Sequence, residues 1–267
     1  RYVGRFAPSP TGPLHFGSLV TALASYLDAR ANGGKWLVRV EDLDPPREVT
    51  GSSTLILEQL QAFGMDWDGD VLYQSSRLSA YERILEQLEN RKVCFNCDCS
   101  RQRVSRSKGI YDGRCRSRRL TSTPGLAIRL KIKPETVRFT DGIQGDYAQN
   151  LEREVGDFIL RRKDGLFAYQ LAVVADDATQ EITHIVRGYD LLSSTPRQIY
   201  LQQLLDLPTP SYAHIPIIVN ALGQKLSKQH YAEPIDLENA PSLLVFALQF
   251  LGMTPPSSLI GAAPASL

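Results

Sequence analysis

Residues 2–41 read YVGRFAPSPTGPLHFGSLVTALASYLDARANGGKWLVRVE, two apolar runs flanking a longer amphipathic one. Tyr2 to Ala7 reads as a short buried strand. It is cut off by Pro8-Ser-Pro-Thr-Gly-Pro13, a stiff loop in which three prolines forbid a regular hydrogen-bond ladder. From about Gly17 to Ala31, the apolar Leu19, Val20, Leu23, Ala24 and Leu27 recur at helical spacing, and Gly33-Gly34 stops the run. Lys35 to Glu41 reads as a second strand, followed by Asp42-Leu-Asp-Pro-Pro46, again polar and closed by proline. Strand, helix, strand is a βαβ unit, the opening of a parallel sheet with helices on its faces. Ligands of such sheets sit beyond the carboxyl ends of the strands, where both proline loops are expected to open.

Further along the chain, helices are expected at about 51–63, 77–91, 195–205 and 241–251. Strand-like runs are expected at 127–132, 137–140, 170–175, 182–187 and 214–219. The stretch 92–150, rich in cysteine and arginine, differs in texture and reads as an insertion. The expected division is a first half-core over 1–91, a metal-bearing insertion and subdomain over 92–185, a second half-core over 186–230 and a helical end over 231–267. With 267 residues, 43% of them apolar, the chain can bury a full core. No apolar run approaches the ~20 residues that span a bilayer, and the first residues lack the apolar stretch of a signal peptide. The expectation is a cytoplasmic protein with no membrane partner.

The net charge of +1 argues against a sequence-blind nucleic-acid coat, yet it is unevenly spread. Residues 101–119 hold seven arginines (101, 103, 106, 114, 116, 118, 119), Lys108 and one acid, Asp112, a net +7 that leaves the other 248 residues at −6. Such an island suggests a polyanion bound at one place; a solvated loop is the plainer reading of charge alone. All four cysteines, Cys94, Cys97, Cys99 and Cys115, fall in the same neighbourhood. Clustered thiols in such a chain suggest Zn²⁺ rather than disulfides. Cys97-Asp-Cys99 is too tight for an easy bridge, although both sulfurs can face one tetrahedral ion. No histidine is near in sequence, so a fourth ligand comes from Cys94, Tyr111 or Asp112.

Two further motifs suit phosphate. His15-Phe-Gly17-Ser18 lies where the first loop enters the helix, whose free N–H groups and positive dipole end favour an anion. Gly223-Gln-Lys225-Leu-Ser-Lys228 can bring two ammonium groups over a polyphosphate. Each is weak alone: His15 can simply cap the helix, and Lys-x-x-Lys is commonly an exposed turn.

Together, the Pro-Ser-Pro-Thr-Gly-Pro-Leu-His-Phe-Gly-Ser stretch and Lys-Leu-Ser-Lys228 resemble the signature pair of class I aminoacyl-tRNA synthetases. RFAPSPTG (5–12), RVED (39–42), FAYQLAVVADD (167–177) and HIVRGYD (184–190) look like the glutamyl type. Only 39 residues follow Lys228, Leu43 stands where full-length enzymes usually carry Thr, and Gln229 where they usually carry Arg. These features resemble the short paralogues that lack an anticodon-binding domain. The resemblance implies an α/β enzyme with a Rossmann-type, doubly wound parallel sheet and a zinc-binding insertion. It also implies tRNA-independent activation of L-glutamate with ATP and transfer to the queuosine of tRNA(Asp), by a monomer. Arg5 would pair with the substrate γ-carboxylate, Glu41 with its ammonium group, and Ala7, Ser9, Tyr169 and Arg187 would line the pocket. His15, Gly17, Ser18 and Lys228 would contact ATP, which arrives with Mg²⁺, and Lys225 would support the loop. The paralogues' pattern assigns zinc to Cys97, Cys99, Tyr111 and Cys115. Rival readings are a truncated glutamyl-tRNA synthetase charging a tRNA 3′ end and a silent synthetase-like RNA-binding protein.

Overall fold

The computed structural model describes residues 1–216 and 234–256. Along the chain, β1 (Val3–Phe6) leads through the proline loop to α1 (Phe16–Ala31), β2 (Lys35–Val40), α2 (Ser52–Ala62) and β3 (Leu72–Tyr73). There follow α3 (Leu78–Asn90), β4 (Cys94–Cys97), α4 (Arg101–Ser105), β5 (Ala127–Leu130), β6 (Thr136–Asp141) and β7 (Gly145–Asn150). Next come α5 (Leu151–Glu154), β8 (Ile159–Arg161), α6 (Tyr169–Thr179), β9 (His184–Gly188), α7 (Thr195–Leu204), β10 (Ser211–Ile215) and α8 (Ala240–Phe250). Two compact units result: residues 1–73, 182–191 and 210–267 in the first, 74–181 and 192–209 in the second. Among the described residues no helix is long and apolar enough to cross a membrane.

The first unit is the expected parallel sheet. β1 pairs with β2, β2 with β3 and β9 with β10, all parallel. Thr183 joins the two groups: its N–H donates to Val3 C=O at 2.9 Å, and its hydroxyl accepts from Val3 N–H at 2.8 Å. The strands thus run β3-β2-β1-β9-β10, with the order reversing between β1 and β9. That reversal is the switch point at which doubly wound sheets bind ligands. The helical spacing read in α1 buries Leu19, Val20 and Leu23 against Trp36 and Val38 of β2, Ile56 and Leu60 of α2, and Leu244 of α8. Trp36 keeps its indole N–H satisfied on Ser25 Oγ at 2.9 Å, so the polar edge of a large core side chain goes unpenalised. Gly34 is required where α1 turns into β2, because a Cβ there would lie 2.7 Å from Tyr2.

The second unit contains an antiparallel sheet β4-β5-β8, the hairpin β6-β7, and α3, α6 and α7. One expectation fails here: residues 170–175 are not a strand but the middle of α6. Every residue from Gln170 to Asp177 is buried, so this helix is covered on all sides and shows no polar face to set a 3.6-residue period. Asp176 explains why a carboxylate can sit inside. It accepts from Tyr81 Oη (2.6 Å), Gln74 Nε2 (2.9 Å) and Arg77 Nε (3.1 Å). The strand expected at 214–219 begins earlier, at Ser211, and its part beyond 216 lies outside the described residues.

Candidate active site and metal centre

The carboxyl edge of the first unit's sheet collects most of the expected substrate residues. Arg5, next to last in β1, is 3% exposed. Beyond the strand ends, Glu41 N–H donates to Pro8 C=O and Val49 N–H to Pro10 C=O, both at 2.9 Å. These bonds stitch the two proline loops together and bring Glu41 beside the loop that carries Ala7 and Ser9. The Glu41 carboxylate accepts from the wholly buried Arg39 at 3.2 Å.

Arg187, fourth in β9, is also 3% exposed. Its Nε donates to Nε2 of His214, its register partner on β10, at 2.9 Å, and its guanidinium lies 5.3 Å from the Tyr212 ring. Nε2 of the His214 ring thus accepts from the guanidinium. The imidazole therefore orients Arg187 without cancelling its charge. Sequence reasoning missed His214, whose only signal is its place opposite Arg187 in the β9–β10 register. Tyr169 opens α6 in the second unit, and Lys225 and Lys228 lie outside the described residues.

His15 is the N-cap of α1, with extended backbone. Its Nδ1 accepts from Ser18 N–H at 3.2 Å, and its Nε2 lies 2.9 Å from Ser18 Oγ. A Cβ on Gly17 would press to 3.3 Å of the His15 ring, so glycine keeps the first turn open to a ligand. Burial pushes the His15 imidazole below its ordinary 6.5, outweighing the pull of Asp190 from the turn after β9. As pH falls, the unfolded chain takes up this proton first. The contribution of His15 to stability is therefore complete above 6.5 and is lost progressively as pH drops toward the depressed folded value. A His15→Gln variant should accordingly lose less Tm on acidification from pH 6.5 than the parent chain does; identical Tm slopes would contradict this.

The second constellation lies in the second unit. The sulfurs of Cys97, Cys99 and Cys115 lie within 4.8 Å of one another, and Cys97 and Cys115 are almost wholly buried. Cys99 and Cys115 sulfurs are 3.6 Å apart, and Tyr111 Oη lies 3.4 Å from Cys97 Sγ and 3.9 Å from Cys99 Sγ. A tetrahedron of Zn–S bonds has edges of about 3.8 Å, so the donor set fits one metal ion. Burial pushes the Cys97 thiol up, but hydrogen bonds with Tyr111, the Cys99 backbone and Arg129 more than reverse this and leave it below its ordinary range. Cys94, three residues earlier on the same strand, falls on the opposite face of β4 and stands outside this group. Burial, with Glu89 nearby, pushes its thiol up to about 12, which keeps it protonated and a poor ligand.

Two supports of this cluster were not legible in the sequence. Tyr111 is bridged to Gly156, whose φ is 72°, and a Cβ on Gly156 would come to 2.7 Å of Tyr111 N and closer still to its carbonyl oxygen. Only glycine lets the two backbones lie that close. Each sulfur also receives a guanidinium: Arg129 Nε reaches Cys97 at 3.2 Å, Arg118 reaches Cys115 at 3.6 Å and Arg103 reaches Cys99 at 3.7 Å. Arg129 further stacks 4.0 Å over the Tyr111 ring. Three thiolates would exceed the charge of one divalent ion, and these arginines would offset the excess. Arg129→Met should weaken metal retention about 10–100-fold in a chelator competition, as outer-shell losses commonly do. Unchanged retention would refute that role.

Three arginines of the basic island are also held by carboxylates. Arg103 is held by Asp112 (2.6 Å), Arg116 by the buried Asp157 (2.7 Å) and Arg118 by Asp98 (2.6 Å). Arg101, Arg106, Lys108, Arg114 and Arg119 are exposed and form no ion pair among the described residues.

A doubly wound sheet with a phosphate-suited helix N-terminus and buried guanidiniums at its switch point describes a nucleotide-dependent enzyme acting on an acid. Residues 2–258 match the family of class I tRNA synthetases (E and Q), catalytic domain, and the chain belongs to that family. It is 52% identical over 266 residues to the glutamyl-Q tRNA(Asp) synthetase of Ectopseudomonas mendocina (strain ymp), a match covering all of this chain and 90% of that protein. A protein of the same name from Neisseria meningitidis serogroup B is 55% identical over 259 residues, covering 94% of this chain and 88% of the relative. Among solved structures, the glutamate tRNA ligase of Elizabethkingia meningosepticum in complex with its amino acid matches 82% of this chain with TM-score 0.74 and 30% identity. The glutamate-tRNA synthetase of Elizabethkingia anophelis matches 85% with TM-score 0.77 and 31% identity. The chain spans about half the length of these two solved proteins.

Proposed function

We propose that this protein activates L-glutamate with ATP in the absence of tRNA and passes the glutamyl group to the queuosine of tRNA(Asp). The observation that carries the reading is the alignment of two buried guanidiniums, Arg5 and Arg187, with the Glu41 carboxylate along the sheet edge that also holds the α1 N-terminus. The names of the relatives, similar over essentially the whole chain, support the acceptor.

Arg5 pairs with the substrate γ-carboxylate; a guanidinium binds a carboxylate in a planar fork and has no acceptor for the amide of glutamine. Glu41 accepts the α-ammonium group. Ala7 and Ser9 shape the pocket, with Arg187 near the carboxylates. His15, Gly17 and Ser18 place ATP on the α1 N-terminus, and Lys228, supported by Lys225, neutralises the polyphosphate. The α-carboxylate oxygen then attacks the α-phosphorus in line, the bond to the β-phosphate oxygen breaks, and pyrophosphate leaves. A queuosine hydroxyl attacks the resulting acyl carbonyl, giving up its proton as AMP departs. No protein nucleophile is needed, since position and charge lower the barrier.

Zinc, when bound, would be held by Cys97, Cys99, Tyr111 and Cys115 as a structural ion with no open position. ATP would carry Mg²⁺, and the enzyme would work as a cytoplasmic monomer. Glutamate-dependent exchange of labelled pyrophosphate into ATP without tRNA tests the reading. Exchange is expected with glutamate and not with glutamine, and no exchange from folded, metal-loaded protein would overturn it.

A further inference from the structure

The eight cations of residues 101–119 divide into three held by carboxylates and five that are exposed and form no ion pair among the described residues. Beside β4 lies an open cavity of about 340 Å³, lined by Cys94, Phe95, Asn96, Cys115, Leu120 and the cations Arg116, Arg119 and Lys131. No carboxylate is among the lining residues. Asp157 occupies Arg116 from behind, and Glu89 acts on Cys94. Lys131 is fixed by donating from Nζ to Lys92 C=O at 2.9 Å, which places an ammonium group without neutralising it. Arg119 is exposed, forms no ion pair among the described residues and sits at φ 49°, a left-handed conformation that costs a non-glycine residue energy. The walls are held by the thiol cluster, for Cys115 belongs to both, and by Asn96 Nδ2 donating to Leu120 C=O at 2.9 Å.

We infer that this cavity binds a backbone phosphate of the RNA substrate, with Arg119 and Lys131 as the phosphate ligands and Arg116 as a positioning residue. Arg101, Arg106, Lys108 and Arg114, earlier in the same stretch of chain, are also exposed. The inference rests on the proposal that tRNA is the acceptor. It reassigns the island, because Arg116 and Arg118 serve the fold while Arg119 and Lys131, the latter from outside the island, meet the ligand. Phosphate contacts of this kind position the nucleic acid and carry no base readout, so the surface fixes where the tRNA sits rather than which tRNA binds.

The test uses the metal-loaded enzyme, unfractionated tRNA and the variants Arg119→Asn and Lys131→Met, singly and together. Asparagine tolerates the left-handed backbone, so the first variant removes charge without adding strain. Each single change should lower the slope of log K against log salt by about 0.7–0.9, and the double change by about twice that. Transfer should suffer through KM for tRNA, while tRNA-free pyrophosphate exchange and metal content stay at the parent level. Unchanged tRNA affinity and salt slope, with exchange and metal intact, would overturn the inference. Titration with inorganic phosphate distinguishes the sources of the anion. Phosphate bound by the parent and lost in the double variant, with tRNA binding equal in both, would mark a small-anion site and also overturn it. Failure of the parent to perform exchange would instead overturn the glutamate-activation reading.

Discussion

Replacing Arg5 with methionine is expected to lower kcat/KM for glutamate in the exchange reaction by roughly 10²- to 10⁴-fold. Arg5 is almost wholly withdrawn from water, so a γ-carboxylate entering the altered pocket would be stripped of water without a partner. Leaving one member of a buried ion pair alone costs about 3–5 kcal/mol. Methionine retains much of the volume, so the core around β1 should hold. Discrimination between glutamate and glutamine should shrink with the loss of activity, because the group that favours the acid is gone. Steady-state exchange at varied glutamate and glutamine measures both quantities. A loss under tenfold, with selectivity intact, would mean that Arg5 serves the sheet edge rather than the substrate.

The second large effect concerns the thiol cluster. Cys99→Ser, or removal of metal by a strong chelator, should take bound zinc from about one per chain to near none. It should also release the segment between Cys97 and Cys115 to protease. Structural zinc sites commonly supply folding free energy on the order of 10 kcal/mol, far more than the exposed ion pairs around Arg103 and Arg118 can replace. Cys94→Ser should keep its metal, since that thiol lies on the other face of β4, whereas Gly156→Ala should lose metal by forcing Tyr111 aside. Elemental analysis with limited proteolysis reads all of these. Full retention of zinc by Cys99→Ser, or its loss from Cys94→Ser, would contradict the donor set.

The periodicity that betrayed the fold belongs to α1, which has one buried face. β1 and β2 are largely buried apolar runs bounded by proline loops and by Gly33-Gly34, so their ends fall within a residue or two of expectation. α6 misled because Leu171 to Ala175 are all buried, and a helix enclosed on every side spells the same apolar run as a buried strand. The site divided in a similar way. Arg5, Glu41, His15 and the cysteines stand in local motifs, whereas His214, Arg129 and Gly156 come from distant parts of the chain and gain meaning only once strands pair. Counting charge could not separate Arg116, bound to buried Asp157, from Arg119, which points to solvent, because formal charge says nothing of direction. The choice between Cys94 and Tyr111 was left open by spacing, and the opposite-face position of Cys94 now weighs against it.

Glutamate activated on this sheet edge is proposed to end on a modified base rather than on the tRNA terminus. Mass spectrometry of nucleosides digested from tRNA(Asp), after incubation with the metal-loaded protein, glutamate and ATP, addresses it directly. Queuosine heavier by one glutamyl group is expected, formed equally well on tRNA whose 3′ adenosine has been removed. Glutamate recovered only on the 3′ adenosine, with queuosine unshifted, would contradict it.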